Sequence, residues 1–203
     1  MNENTESTQR RTRAESKQFT RQALLQAGLL ELVEHGLDTP SLDAICARAG
    51  FTRGAFYVHF KDRDDFLVAV TDWVLSGIVD SLVGVDGESD LEATVTRFAA
   101  FIGKREWPVI GSFPIATHRV FESIARSEQL KQRFAEIFRE ATARIGKLVL
   151  RAQETGQARR DLDASGTAAM LLALGIGAMS LEDTGVQLGD SALRTGILGL
   201  LRP

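Results

Sequence analysis

The sequence predicts an all-α fold of about nine helices. Apolar residues recur at three- and four-residue spacing along most of the chain. Helix-starting and helix-stopping residues bracket those segments, and no stretch alternates convincingly with the two-residue period of a half-buried strand. Of 203 residues 44% are apolar, which supplies a sizeable core and argues against disorder over most of the chain.

Residues 1–16 lack apolar periodicity and are expected to form a flexible basic tail. From Lys17 to His35 the pattern is helical, with Leu25, Leu29, Leu32 and Val33 near one side, and Gly36 is a natural stop. Ser41 can N-cap a short second helix over 42–49, and Gly50 follows where a positive φ is needed. Thr52 can cap a third helix running to about His59. Asp62 and Asp65 resemble a capping box for a fourth, which carries Phe66, Leu67, Val70, Trp73, Val74 and Ile78. A break at Gly84–Gly87 precedes a fifth helix, for which Ser89 and Glu92 form a capping box. Trp107-Pro108 ends it, and an irregular loop leads to Pro114, which suits the first turn of a helix reaching Arg126. A long helix over 128–155 ends at Gly156, and two more follow near 165–181 and 191–201.

Net charge is −3, but its distribution matters more than its sum. Residues 1–63 hold 9 Lys/Arg against 8 Asp/Glu, whereas the remaining 140 hold 15 against 19. Arg10, Arg11, Arg13, Lys17 and Arg21 gather around the first helix against Glu15 alone. Such a cluster favours phosphate, though a solvated tail accounts for it equally well. The polar N-terminus predicts no secretory leader, and no uninterrupted apolar run reaches the ~20 residues of a bilayer span. One cysteine, Cys46, excludes an internal disulfide framework and reads as a small buried residue rather than a redox sensor. These features predict a cytoplasmic protein with no membrane partner.

The strongest functional signal lies in residues 36–67, where two short helices joined by a glycine turn form a helix-turn-helix. Leu42, Ile45, Phe51, Phe56 and Phe60 supply a small core against the first helix. Thr52, Arg53, Gly54, Ala55, Tyr57 and His59 are left for the outer face of the third. Arg53 suits a bidentate contact to guanine O6 and N7. Gly54 and Ala55 are small enough for close approach to the groove, and Ala55 can meet a thymine methyl. Thr52, Tyr57 and His59 can donate to phosphate, which the N-terminal dipole of the third helix also favours. Helical turns of this kind occur in many unrelated proteins, so spacing alone leaves other uses open.

The run from Ala49 to Arg63, together with Thr20, Arg21, Gly36, Ser41, Ile45 and Ala47, resembles the recognition segment of TetR-family transcriptional regulators. The resemblance is strong over about 17–70, and the rest matches in helix layout. It implies DNA contacts from Arg21, Ser41, Thr52, Arg53, Gly54, Ala55, Tyr57, His59, Lys61 and Arg63. Arg63 replaces the usual lysine and keeps its charge. Two departures put the packing of the first helix in question: Glu31 stands where the family prefers an apolar residue, and Gly28 where it prefers alanine. The implied division is a DNA-binding domain over 17–63 and a ligand-binding and dimerisation domain over 64–203.

In that body Trp73, Phe98, Phe101, Trp107, Phe113, His118, Phe121, Phe134 and Phe138 look together like the lining of an apolar cavity, although each aromatic taken singly is better explained as core. Ala168, Leu172, Gly175, Ile176 and Met179, then Leu193, Ile197 and Leu200, recur at helical spacing in the last two helices. The resemblance implies that these build a four-helix dimer interface; packing within one subunit is the alternative. No metal-ligand cluster, cofactor-binding loop or nucleophile motif is evident, so an enzyme is not expected. The expected partners are double-stranded operator DNA, a small-molecule effector and a second copy of the chain. The rival readings are a regulator that senses no ligand and a small-molecule carrier with a degenerate DNA head.

Overall fold

The computed structural model describes residues 12–35, 41–84, 90–104 and 116–203, and the backbone alone of 106–107 and 111–112. These form nine helices: α1 (Arg13–His35), α2 (Leu42–Ala49), α3 (Arg53–Tyr57), α4 (Arg63–Val83), α5 (Leu91–Lys104), α6 (Thr117–Arg126), α7 (Glu128–Glu154), α8 (Ala164–Asp183) and α9 (Asp190–Leu201). The predicted all-α class holds. The one addition is a minimal antiparallel pair, β1 (Glu106–Trp107) and β2 (Gly111–Ser112), with Glu106 opposite Ser112, inside the segment expected to be an irregular loop. The chain divides into two compact units, one ending at Phe66 and the other starting at Leu67.

In the first unit α1 starts at Arg13, inside the expected tail. Thr12 and Glu15 form a capping box: the Glu15 N–H donates to Thr12 Oγ1 at 3.2 Å and the Thr12 N–H to Glu15 Oε2 at 2.6 Å. The expected stop at Gly36 lies outside the described residues. α2 starts where Ser41 accepts from the Ala44 N–H, and it ends at Gly50, whose φ of 74° is left-handed. α3 is shorter than predicted, since it closes at Tyr57 and the backbone then turns through Val58 and His59. Asp62 accepts from the Asp65 N–H at 2.8 Å while Asp65 reaches back to the Lys61 N–H at 2.9 Å, and α4 follows.

The core of this unit is aromatic. Phe56, Phe60 and Phe66 are fully buried with Leu24, Leu25 and Ile45. The three rings meet at centroid distances of 5.2, 5.3 and 4.9 Å. Both departures in α1 find their reason here. Gly28 is buried under the ring of Phe66, and a Cβ on it would fall 2.1 Å from Cζ. Glu31 is buried as the sequence register demands, but as one half of an ion pair: Arg48 Nε lies 2.6 Å from it, and His35 Nδ1 3.2 Å. Arg48 also pairs with Glu34, and this clamp ties α2 to α1.

In the second unit the core gathers Leu82, Val83, Leu91, Val95, Ile145, Leu148, Val149, Ala168, Ile197 and Leu201. α5 is capped by Asp90, which accepts from the Ala93 N–H at 2.6 Å. The expected cap Ser89 lies outside the described residues, and Glu92 is engaged elsewhere, by Arg194 at 2.6 Å and Arg202 at 3.1 Å. Ser127 caps α7 and Asp163 caps α8. α6 has no cap of its own; Asp183 of α8 accepts from the Thr117 N–H at 2.5 Å. α4 is bound to α7 by arginines: Arg133 pairs with Asp72, and Arg144 holds Asp80 at 2.6 Å and the Gly84 carbonyl at 2.8 Å.

Two of these helices, α4 and α8, are long and apolar enough to cross a membrane. A count of uninterrupted apolar residues passes over them because Asp72 and Asp80 break the first and glycine and serine the second. Asp72 and Asp80 both pair with arginines of α7.

Candidate nucleic-acid interface

Thr52 caps α3 by accepting from the Ala55 N–H at 3.2 Å, which sets the direction of the helix. Phe56 and Phe60 anchor one side in the aromatic core, so Thr52, Arg53, Gly54 and Tyr57 stand in solvent and Ala55 is half-buried. Tyr57 is 52% exposed, its ring held edge-on by Phe56 at 5.6 Å. Gly54 is informative by contrast with Gly28. A Cβ on it would meet nothing nearer than Thr52 Oγ1 at 3.6 Å. Glycine inside a helix costs stability relative to alanine, and nothing inside the unit requires it here, so the bare backbone faces outward.

Around this face Ser41 is exposed at the start of α2 and Lys61 in the turn before α4, with Arg63 half-buried at the start of that helix. Arg21 lies over the Phe60 ring, its guanidinium carbon 5.2 Å from the centroid. Arg53 has an acidic neighbour that sequence reasoning missed: Asp43 of α2, whose Oδ1 lies 3.4 Å from Arg53 Nε. Burial, and then the charges of Lys17 and Arg21, push the His59 imidazole below its ordinary range. The Cys46 thiol is buried and its pKa is raised by that burial and by Asp43, so it is no activated thiolate.

Glu31, Glu34 and His35 lie close enough to share an ion, a cluster that sequence reasoning also missed. Arg48, bound to both carboxylates, already supplies positive charge there.

The nine residues expected to line one cavity fall into separate groups. Phe98 and Phe101 pack on the core, and Phe98 presses on Gly175 so closely that a Cβ there would fall 2.4 Å from its Cζ. Phe121, Phe134 and Phe138 form a half-buried aromatic row on α6 and α7, with centroid distances of 5.5 and 6.4 Å. Trp73 is half-buried on α4, next to the Asp72 that pairs with Arg133, itself next to Phe134. His118 is exposed; Phe113 and the Trp107 side chain lie outside the described residues. A groove of about 400 Å³ lies elsewhere, lined by Leu91, Gln157, Leu198, Leu201 and their neighbours.

The residues expected at a dimer face also divide. Ala168, Gly175 and Ile197 are buried within the subunit and present no surface to a partner. Leu172, Ile176, Met179 and Leu193 are half-buried, and Leu200 is 61% exposed. The outward apolar row of α8 runs instead through Met170, Leu174, Gly177 and Leu181.

Residues 24–70 match the family model described as bacterial regulatory proteins, tetR family, and residues 87–184 the model of the tetracyclin repressor-like C-terminal domain. Among curated relatives, the uncharacterized HTH-type transcriptional regulator YwcC of Bacillus subtilis is 24% identical over 134 residues, 59% of this chain and 60% of that protein. The uncharacterized HTH-type regulator TtgW of Pseudomonas putida is 44% identical over 61 residues, 30% of this chain and 45% of that protein. The chain thus spans about half the length of these two relatives. Among solved structures, SmeT, described as the repressor of the Stenotrophomonas maltophilia multidrug efflux pump SmeDEF, is 26% identical with a TM-score of 0.66, covering 92% of each chain. SmeT has also been solved as a complex with triclosan.

Proposed function

The chain belongs to the TetR family of bacterial transcriptional regulators, and we propose that it is a cytoplasmic homodimeric repressor released from its operator by a small, largely apolar molecule. On this reading residues 17–63 grip DNA and residues 64–203 dimerise and sense. Two copies of α3 enter successive major grooves of a pseudo-palindromic site. The observation that carries the reading is the outer face of α3. Arg53 and the bare Gly54 backbone are exposed on a helix whose opposite side is locked into three buried phenylalanines. The half-buried Phe121–Phe134–Phe138 row supports an apolar effector in the body, and the small-molecule complex of SmeT is a precedent in a protein of similar fold.

Arg53→Ala tests the base-reading role. It should cost roughly 1–3 kcal/mol at one operator base pair, the range for a bidentate base contact. Tyr57→Phe should weaken all duplexes alike, because phosphate contacts position without specifying. Competition binding with single-base operator variants separates the two. An operator preference untouched by Arg53→Ala would remove that residue from base reading.

A second expectation follows from His59. Its depressed pKa leaves the ring neutral in the free protein near neutral pH. A phosphate oxygen beside it favours the charged form. The complex then holds more protons than free protein plus DNA, so affinity must rise as pH falls. Between about pH 7.5 and about pH 6 the gain should be roughly 2- to 10-fold, and His59→Gln should flatten it. A pH slope that survives the substitution would place His59 away from phosphate.

A further inference from the structure

We propose that Asp43 is the positioning residue for Arg53: it fixes the side edge of the guanidinium so that the terminal nitrogens are presented to the base pair. The inference rests on the reading of Arg53 as the base-contacting residue. Its observation is the approach of Asp43 Oδ1 to Arg53 Nε at 3.4 Å, across the turn between α2 and α3.

A guanidinium offers two edges. One carries Nε with a terminal nitrogen, the other both terminal nitrogens. Guanine O6 and N7 take one edge as a pair, and a carboxylate can take the other. Asp43 faces Nε as an ion pair, the end fork is left free, and among the described residues Arg53 makes no other ion pair. Arginine has many rotamers, and holding one before binding removes an ordering cost that only the cognate base pair would otherwise offset.

Asp43 is well placed for this. It sits in the first turn of α2, whose start is fixed by Ser41 and whose body is clamped to α1 through Arg48, Glu31 and Glu34. Arg53 opens α3, fixed by Thr52. The two backbones are therefore set, and only the arginine side chain remains to be ordered. Both side chains are more than half exposed, so the contact does little for the free fold. A carboxylate on a phosphate-facing surface also repels the duplex. It lowers binding to every sequence and, through Arg53, protects binding to one.

These opposed effects make the test. Full-length protein is titrated against a duplex selected from a random-sequence pool, against its single-base variants, and against random duplex over a range of salt. Asp43→Ala should lower the preference for the base pair that Arg53 reads by about 3- to 10-fold. The same variant should bind random duplex more tightly and with a steeper salt dependence. Asp43→Asn keeps the shape but removes the charge that faces Nε, so it should lose the preference as alanine does while leaving random binding raised. In an Arg53→Ala background, Asp43→Ala should change no base preference. A mere helix-end charge would alter thermal stability and leave specificity alone. Asp43→Ala with full preference, while Arg53→Ala abolishes it, overturns the positioning role and leaves the base-reading role standing. An intact preference in Arg53→Ala overturns both. Asp43→Ser gives the same readout if the alanine variant loses its fold.

Discussion

Leu174→Glu combined with Leu200→Glu is expected to turn the proposed dimer into a folded monomer and to lower operator affinity by about 10²- to 10⁴-fold, the range over which linked sites exceed single ones. α8 shows one apolar row outward, Met170, Leu174, Gly177 and Leu181, at four-, three- and four-residue steps. α9 shows Gly196, Gly199 and Leu200, and a Cβ on Gly177, Gly196 or Gly199 would meet nothing within 4 Å in the subunit. Small residues beside exposed leucines suit close approach of a second pair of helices. A carboxylate placed there must either be buried unpaired or keep the subunits apart, and separation is the cheaper outcome. The choice of residues matters. Ile197 belongs to the subunit's own core, so a charge there would unfold the protein rather than divide it. Leu174 is 42% exposed and Leu200 61%, so both substitutions spare the core. Sedimentation reports the mass, circular dichroism the fold, and half-site against full-site duplex the avidity. A variant that sediments as a dimer and binds the full site normally would place the interface on another face.

This register explains what the sequence could and could not reveal. α8 is apolar on nearly every side, so its spacing marks a helix without marking which side faces inward. That choice is made by Phe98 lying on Gly175, a contact between helices far apart in sequence. Elements with local signals were legible: α2 runs between Ser41 and Gly50 as their chemistry requires. The start of α1 was hidden because its first turns are exposed and are begun by the Thr12–Glu15 box rather than by apolar residues. Glu31 looked like a defect because its partner, Arg48, lies on the next helix. The outer face of α3 was legible because exposure there follows from what Phe56 and Phe60 bury. Asp43 was not, since its role lies in the distance to Arg53 and not in its spacing. The aromatic residues of the body were visible one by one, but their division between core and the α6–α7 row depends on packing.

Phe66→Ala is expected to destabilise the DNA-binding unit by about 3–5 kcal/mol, the cost of emptying a fully buried aromatic site. Its partner Gly28 makes the sharper argument, because the two positions should not add. In the wild type, Gly28→Ala gains about 1 kcal/mol of helix propensity. It also places a methyl 2.1 Å from Cζ and 2.6 Å from Cε1 of Phe66. That ring has no exposed surface, and Phe56 and Phe60 press on it, so it cannot swing clear. Overpacking of this kind typically costs about 1–3 kcal/mol, so the net effect should be destabilising even though alanine is the better helix former. Once Phe66 is alanine the clash is gone and the new methyl fills part of the void. Gly28→Ala should then stabilise by roughly 0.5–1 kcal/mol, reversing its sign. Hydrogen exchange of the α1 amides from Leu24 to Leu29 reads the opening free energy of this unit without requiring the whole chain to unfold in one step. If Gly28→Ala were neutral or stabilising in the wild type, or its effect were the same with and without the ring, Phe66 would not lie against α1 at Gly28. Close packing of the ring would then not be what requires glycine at that position.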